Sequence, residues 1–211
     1  MAAKARIALA GLVLALASAG AVGCGSSDSS ATGDTTTTPK FDGAVSKPTK
    51  PVPPLQLNNS LGQPVNIADY KGKAVLVTFI YDHCPDICPL IVSNLHAAQN
   101  EMSPKERKQL QIIAVSVDPK GDTPKTVKAF LADHQMTGRM QYLIGSRPQL
   151  ENVWHNWNIV SKTDPSRKSP DAVEHSALIY GISGKGQMTT LYPANFKPKQ
   201  IVHDVPLLAS S

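Results

Sequence analysis

The sequence has no dense cluster of positive charge and no internal repeat. Its formal net charge is +5, and loss of residues 1–23 would remove two positive charges and no negative ones, leaving +3. Nucleic-acid-binding domains usually show a dense basic face, so nucleic acid is excluded as a partner. With 211 residues, 41% of them hydrophobic, the chain has room for one sizeable domain and appendages. We expect this domain to be monomeric.

The chain also lacks an apolar run long enough to span a membrane comfortably. Its first apolar run, from Ile7 to about Ala17, follows two basic residues and is followed by small residues up to Cys24. These are the three parts of a secretory signal, which we predict at residues 1–23. Residues 21–24 resemble the lipobox of bacterial lipoproteins, although Ala21 stands where Leu is commoner. We favour lipidation of Cys24, with ordinary secretion as the alternative.

Either outcome places the mature protein outside the cytoplasm, and lipidation would anchor it to the bacterial cell membrane. Residues 25–54 are rich in Ser, Thr, Gly and Pro and poor in apolar side chains. Such a segment cannot bury enough surface to offset the entropy of ordering it. We therefore predict that residues 24–53 form a lipidated cysteine and a flexible tether, and that residues 54–211 form the folded domain.

Apolar runs alternate with helical periodicity through this domain. Residues 55–57 and 65–67 suggest an N-terminal hairpin, and residues 74–80 form a run typical of a central buried strand. Further strands are predicted at residues 111–117, 141–144, 177–182 and 187–192, and helices at 87–102, 124–134 and 148–157. Strands that alternate with helices and end in a hairpin indicate an α/β domain.

Two cysteines follow the predicted central strand in FIYDHCPDICPL, residues 79–90. The carboxyl ends of strands are where α/β sheets place ligands. A helix N-terminus there would favour thiolate and lower the thiol pKa below about 8.5. Three interpretations of Cys84 and Cys88 remain open: a stabilising disulfide, a thiol–disulfide catalyst, or a soft-metal site. The disulfide would close a very small loop and remove little unfolded-state entropy, while a catalyst more often has two residues between its cysteines.

A metal site needs at least one further ligand, and histidines are the candidates. His83 adjoins Cys84, but adjacent residues seldom point at one ion, and His96 lies two helical turns beyond Cys88, about 12 Å along the axis. His175 precedes a strand that we expect beside the cysteine strand. From spacing alone, a loop histidine hydrogen-bonded to backbone is the favoured interpretation of His175.

Three motifs together resemble the signatures of the Sco/SenC family: FIYDHCPDICP at 79–89, SVDPKGDTP at 116–124 and EHS at 174–176. The resemblance implies a thioredoxin-like fold with a central mixed sheet flanked by helices. It also implies a copper chaperone for the binuclear copper site of cytochrome oxidase, with thiol–disulfide exchange as a linked or separate activity. Residue matching makes Cys84, Cys88 and His175 the metal ligands. Asp82 stands where the family often has Thr, and Glu174 stands where Asp is usual.

Copper suits these three ligands, because thiolate sulfur selects Cu(I) and imidazole accepts both Cu(I) and Cu(II). Oxidation to a Cys84–Cys88 disulfide would remove two ligands and release the metal. We therefore expect delivery of copper to cytochrome oxidase, or reduction of its cysteines. The alternatives are a thiol–disulfide oxidoreductase or thiol peroxidase that works without copper, and a copper sensor or storage lipoprotein. In the second motif, Asp122-Thr123-Pro124 is explained as a turn and a helix cap, with a metal site at Asp118 and Asp122 as the alternative.

Overall fold

The structure, a computed structural model, describes residues 40–160, 162–163, 173–174 and 177–211. Cys24 and His175 lie outside these residues. The strands are β1 Ala44–Pro51, β2 Gln56–Asn59, β3 Pro64–Asn66, β4 Ala74–Ile80, β5 Leu110–Ser116, β6 Gln141–Ile144, β7 Lys162–Thr163, β8 Val173–Glu174, β9 Leu178–Ile182 and β10 Gln187–Pro193. The helices are α1 Ile87–Glu101, α2 Pro104–Gln109, α3 Pro124–Asp133, α4 Arg147–Asn156 and α5 Pro198–Ser210, with a short 3₁₀ turn at Ile67–Tyr70.

Eight of these strands form one mixed sheet in the order β1-β10-β9-β4-β5-β6-β2-β3, and β7 pairs with β8 separately. β4, β5 and β6 are parallel, whereas β9 is antiparallel to β4. All seven residues of β4 are buried, as expected for a strand covered on both faces. The sheet and its helices form a thioredoxin-like α/β fold, which confirms the predicted fold class.

The helices begin where local signals predict them. Pro occupies the first turn of α2, α3, α4 and α5, where its missing N–H costs little. Thr123 caps α3 by accepting a hydrogen bond from the Thr126 N–H, and Ser103 and Glu106 form a capping box on α2. On one side of the sheet α1 packs against α5, and the Asn94 side chain donates to the Phe196 carbonyl oxygen. Within the described residues, no helix combines the length and apolar content that a membrane crossing requires.

The predicted hairpin is present as the antiparallel pair β2 and β3, and β2 also pairs with β6 at the sheet edge. The predicted boundary at residue 54 needs a correction. Residues 44–51, assigned to the tether, form β1, which pairs antiparallel with β10. β1 escaped prediction because it is an exposed edge strand with two prolines and two lysines, a composition that protects sheet edges but gives no apolar alternation.

Candidate metal centre

The two cysteines lie between the end of β4 and the first turn of α1. Cys84 is in the loop that follows Ile80, and Cys88 is the second residue of α1. Both are reduced rather than joined by a disulfide, and both side chains are buried, with residue exposures of 7% for Cys84 and 0% for Cys88. The fold therefore places two thiols at the carboxyl end of a central strand, as predicted.

Backbone N–H groups hold this loop in shape. The Cys84 N–H donates to the Tyr81 carbonyl oxygen at 3.3 Å, and the Cys88 N–H donates to Cys84 Sγ at 3.3 Å. The second bond uses one of the N–H groups that a helix leaves unsatisfied in its first turn. The N-terminus of α1 therefore interacts with the sulfur of Cys84.

The prediction of a lowered pKa was wrong for Cys88. Its hydrogen bond with Cys84 raises the pKa of the Cys88 thiol, and burial raises it further. The nearby Asp122 carboxylate acts in the same direction when it is ionised. A hydrogen bond to the Tyr81 backbone opposes the shift but is outweighed. In this reduced state Cys88 is a protonated thiol at neutral pH, because desolvation disfavours the charged form.

Asp122 connects the second motif to the cysteine loop. Its carboxyl group is buried, and Oδ1 accepts a hydrogen bond from the Asp82 N–H at 2.9 Å. The Tyr142 hydroxyl, from β6, donates to Oδ2 at 2.9 Å. The explanation of residues 122–124 as a turn and a helix cap holds for Thr123, which caps α3, but leaves out these contacts of Asp122. Asp122 instead ties the loop after β4 to a neighbouring strand.

Burial raises the pKa of Asp122 to about 8, and the nearby Asp82 carboxylate adds to this effect. Hydrogen bonds with Ser116, Asp82 and Tyr142 work against the shift without cancelling it. Asp122 is therefore mainly protonated at neutral pH. A neutral carboxyl group can occupy this buried position without a compensating cation.

Asp82 is the second acidic residue beside the cysteines. Only 3% of its side chain is exposed, and its carboxylate lies against the Nδ1 atom of His83. Neither carboxylate oxygen makes a hydrogen bond of acceptable geometry, so the two side chains are in contact without a well-formed bond. His83 itself is more than half exposed. Sequence reasoning noted Asp82 only as a departure from the family pattern, because its burial depends on tertiary packing.

The predicted third ligand, His175, is outside the described residues, and so is the predicted lipidation site, Cys24. The strand that follows His175 is described. β9 begins at Leu178 and pairs antiparallel with β4, with Ile179 opposite Thr78. The Thr78 hydroxyl donates to the Leu178 carbonyl oxygen at 3.2 Å. The prediction that this strand lies next to the cysteine strand is confirmed.

No described histidine lies close enough to Cys84 and Cys88 to share a metal ion with both. Within the described part of the chain, the only three His, Cys, Asp or Glu side chains close enough to share one ion are Asp42, His203 and Asp204. His96 interacts with Asn100 one turn further along α1.

A buried thiol pair at a strand end of a thioredoxin-like fold defines a class of proteins that work through cysteine, either by redox exchange or by binding soft metals.

Comparison with known proteins places the chain within this class. The SCO1/SenC family model matches residues 44–210, and the chain belongs to this family. A mitochondrial SCO2 protein of Saccharomyces cerevisiae is 29% identical over 145 residues, which are 68% of this chain and 48% of that protein. The chain spans about half the length of the curated relatives it matches.

Two solved structures share the fold over most of the domain. ScoI of Bradyrhizobium japonicum, solved with copper bound, is 27% identical with a TM-score of 0.64, covering 74% of this chain and 99% of that one. BsSco, described as a Sco-family cytochrome c oxidase assembly protein with a disulfide switch, is 25% identical with a TM-score of 0.64. That match covers 79% of this chain and 98% of BsSco.

Proposed function

We propose that this protein binds copper through Cys84, Cys88 and His175 and delivers it to the copper subunit of cytochrome oxidase, or reduces that subunit's cysteines during assembly. The observation that carries the proposal is the pair of reduced, buried thiols at the end of β4 and the start of α1. The copper-bound ScoI structure and the oxidase-assembly role of BsSco support it.

The donor set fits copper. Two sulfur atoms select a soft ion, and an imidazole completes a three-coordinate set that can serve both Cu(I) and Cu(II). The Cys88 thiol must lose its proton to bind a metal, and its pKa is raised in the reduced state. Binding therefore releases protons, and the affinity for copper falls as the pH is lowered.

Chain connectivity supports His175 as the third ligand. β9 starts three residues after position 175, so the Cα atom of residue 175 lies within about 11 Å of that of Leu178. The Leu178 carbonyl oxygen accepts a hydrogen bond from the Thr78 hydroxyl of β4. Thr78 lies two residues before the end of β4, and the cysteine loop begins at that end.

The same cysteines provide a redox switch. Formation of a Cys84–Cys88 disulfide removes two electrons and two protons from the thiols and passes the electrons to an oxidant such as a partner disulfide. The oxidised form lacks both sulfur ligands. An external thiol reductant is then needed to restore copper binding outside the cytoplasm.

Membrane attachment is part of the proposal. Lipidation of Cys24, after removal of residues 1–23, would hold the domain at the outer side of the cell membrane, where the copper subunit of the oxidase is accessible. Mass spectrometry of the detergent-extracted protein tests this attachment directly.

Copper titration tests the ligand set. The reduced protein should bind one copper ion, and His175→Ala should weaken binding by at least about 100-fold, since loss of even an outer partner of a ligand typically costs 10–100-fold. His155→Ala is the matched control, because His155 is exposed on α4. Unchanged affinity in His175→Ala would refute the assignment.

Two further measurements separate the alternative functions. Reduction of a disulfide substrate at a rate that depends on neither His175 nor copper would favour a thiol–disulfide oxidoreductase or thiol peroxidase. Deletion of the gene should lower oxidase activity if the protein serves oxidase assembly. Loss of copper tolerance with normal oxidase activity would instead favour a copper sensor or storage protein.

A further inference from the structure

Lysines from separate parts of the chain come together at the end of the sheet opposite the cysteines. β4 and β5 are parallel and start at this end, with Lys73 directly before β4 and α2 directly before β5. Lys50 of β1 pairs with Met188, and Met188 pairs with Ile182. Ile182 in turn pairs with Val75, the second residue of β4. The end of β1, the turn between β9 and β10 and the starts of β4 and β5 therefore lie side by side, across about 19 Å.

Backbone contacts fix these segments to one another. The Gly72 N–H donates to the Gly184 carbonyl oxygen at 2.9 Å, and the Val52 N–H donates to the Gly186 carbonyl oxygen at 2.9 Å. Gly184 also packs directly against backbone atoms, because a Cβ atom there would lie 2.4 Å from the Ala209 carbonyl oxygen and 3.4 Å from Gly72 Cα. The segments that carry the lysines are therefore held in fixed relative positions.

Six exposed lysines make this end of the domain basic, and we call them the lysine row. The lysine row consists of Lys50, Lys71, Lys73, Lys105, Lys108 and Lys185. None of the six forms an ion pair with an acidic side chain in the described part of the chain. The acidic side chains close to them in sequence are Asp69, Glu101 and Glu106, and Glu106 is occupied by the capping box of α2. Because the lysines come from four separate segments, no dense basic run marks them in the sequence.

A groove lies within the lysine row. Its volume is about 400 Å³, which is in the range of sites that bind small organic molecules. Its apolar lining includes Val52, Tyr70 and Ile182, and Lys71 and Lys185 line it as well. The groove therefore combines an apolar wall with two cationic side chains, as a ligand with an anionic group on an apolar body requires.

We propose that the lysine row binds the surface of an anionic phospholipid bilayer, with the headgroup and glycerol of one lipid in the groove. Anionic lipids attract clusters of basic side chains, and the apolar wall of the groove covers the carbon atoms beside the phosphate. Nucleic acid also carries phosphate, but it has no acyl chain to place against this wall. The inference goes beyond the proposed function and does not depend on lipidation of Cys24. The cysteine end, a strand length of about 23 Å away, then faces the aqueous compartment.

Sedimentation with vesicles tests this contact. The vesicles contain phosphatidylglycerol and phosphatidylcholine in equal parts, and vesicles of phosphatidylcholine alone are the neutral comparison. The protein is the predicted mature chain, which starts at residue 24, with Cys24→Ser so that no attached lipid contributes. Each lysine near an anionic surface strengthens binding about fivefold, so the double variant Lys71→Gln, Lys185→Gln should bind the mixed vesicles about 25-fold more weakly than the unsubstituted protein.

The matched control removes the same charge from the cysteine end. Lys120 and Lys125 are exposed, one after β5 and the other in the first turn of α3. The double variant Lys120→Gln, Lys125→Gln should change the affinity for mixed vesicles less than about twofold, because these side chains lie away from the bilayer. Urea denaturation should give the same midpoint for both double variants, since all four lysines are exposed.

Four results would overturn the inference. They are equal weakening by the two double variants, no binding to the mixed vesicles, equal binding to neutral vesicles, and binding that persists at high salt, where charges on a surface are screened. Equal affinity for a DNA duplex would show contact with any polyanion and would overturn it too. Copper titration should be unchanged in the lysine variants, so failure of this inference leaves the proposed function intact, and failure of the titration leaves the lipid contact intact.

Discussion

Two buried aspartates hold chain segments at two places in this domain. Asp122 accepts the Asp82 N–H of the cysteine loop, and Asp204 accepts the Asp42 and Gly43 N–H groups of residues 40–43, the lead-in segment before β1. Each also accepts a hydrogen bond from a buried tyrosine hydroxyl, Tyr142 for Asp122 and Tyr192 for Asp204. The same arrangement thus holds both the cysteine loop and the chain segment that precedes β1.

The two sites differ in what surrounds the carboxyl group. Burial raises the pKa of Asp122 to about 8, so this group is mainly neutral at pH 7. At the other site, the hydrogen bond to Asp204 raises the pKa of His203, with a smaller contribution from Asp42. Asp204 receives two backbone N–H groups, whereas Asp122 receives one. A neutral Asp122 also keeps a negative charge away from thiols that must ionise to bind metal.

Removal of the Asp204 carboxylate should have the largest effect on folding. Asp204→Ala leaves two backbone N–H groups and the Tyr192 hydroxyl without their acceptor, and each unsatisfied buried donor costs about 1–3 kcal/mol. We expect a loss of about 3–5 kcal/mol in the free energy of unfolding, measured by urea denaturation of the reduced protein. Asp122→Ala should cost less, because fewer donors depend on it. Equal losses in the two variants would contradict the comparison.

The neutral state of Asp122 can be tested through pH. A folded-state pKa of about 8, well above the ordinary range for aspartate, means that Asp122 contributes stability at low pH that is lost as the pH rises toward 8. Asp122→Asn imitates the neutral carboxyl and lacks this dependence. Between pH 6 and pH 8 the wild type should therefore lose about 2 kcal/mol relative to the variant, since one bound proton is worth about 1.36 kcal/mol per pH unit and Asp122 is half ionised near pH 8.

Urea denaturation of the reduced, metal-free proteins at several pH values measures this difference. Asp133→Asn is the matched control, because Asp133 is exposed at the end of α3 and should follow the wild type. A difference between wild type and Asp122→Asn that stays constant from pH 6 to pH 8 would show that Asp122 is ionised in the folded protein.

The central strands could be predicted from sequence because their burial on both faces leaves continuous apolar runs. β4 was predicted at its observed bounds, and β5 within one residue. α5 could not be recognised, since Pro206 interrupts its helical pattern. β1 is exposed along its length and has no apolar pattern at all.

The cysteine site was partly predictable from sequence, because part of it depends on local signals. The positions of Cys84 and Cys88 follow from the strand and helix that flank them, both of which have strong local signals. The raised pKa of Cys88 depends on burial and on its bond with Cys84, neither of which is a local property. The role of Asp122 was underestimated because its partners, Asp82 and Tyr142, come from other parts of the chain.

Gly43→Ala should weaken the attachment of the lead-in segment without removing its acceptor. The added methyl would overlap the Tyr192 ring, so the segment or the ring must shift, at a cost of about 1–3 kcal/mol. Faster hydrogen exchange of residues 42–51 should accompany the loss, with the cysteine loop unchanged. Ala44→Ser, at the neighbouring exposed position, is the control. Equal exchange in the variant and the wild type would show that Gly43 is not required for close packing.

The smallest effect is expected at His203, which is about half exposed. Its hydrogen bond with Asp204, with a smaller contribution from Asp42, raises its pKa, so it stabilises the fold below pH 6.5 and loses this effect as the pH rises through the folded-state pKa. Solvent limits the gain to about 0.5 kcal/mol, as for exposed ion pairs. His203→Gln should therefore lower the Tm slightly at pH 5.5 and leave it unchanged at pH 9, while His155→Gln has no effect at either pH. A Tm loss of equal size at both pH values would mean that His203 acts by packing and not through its hydrogen bond with Asp204.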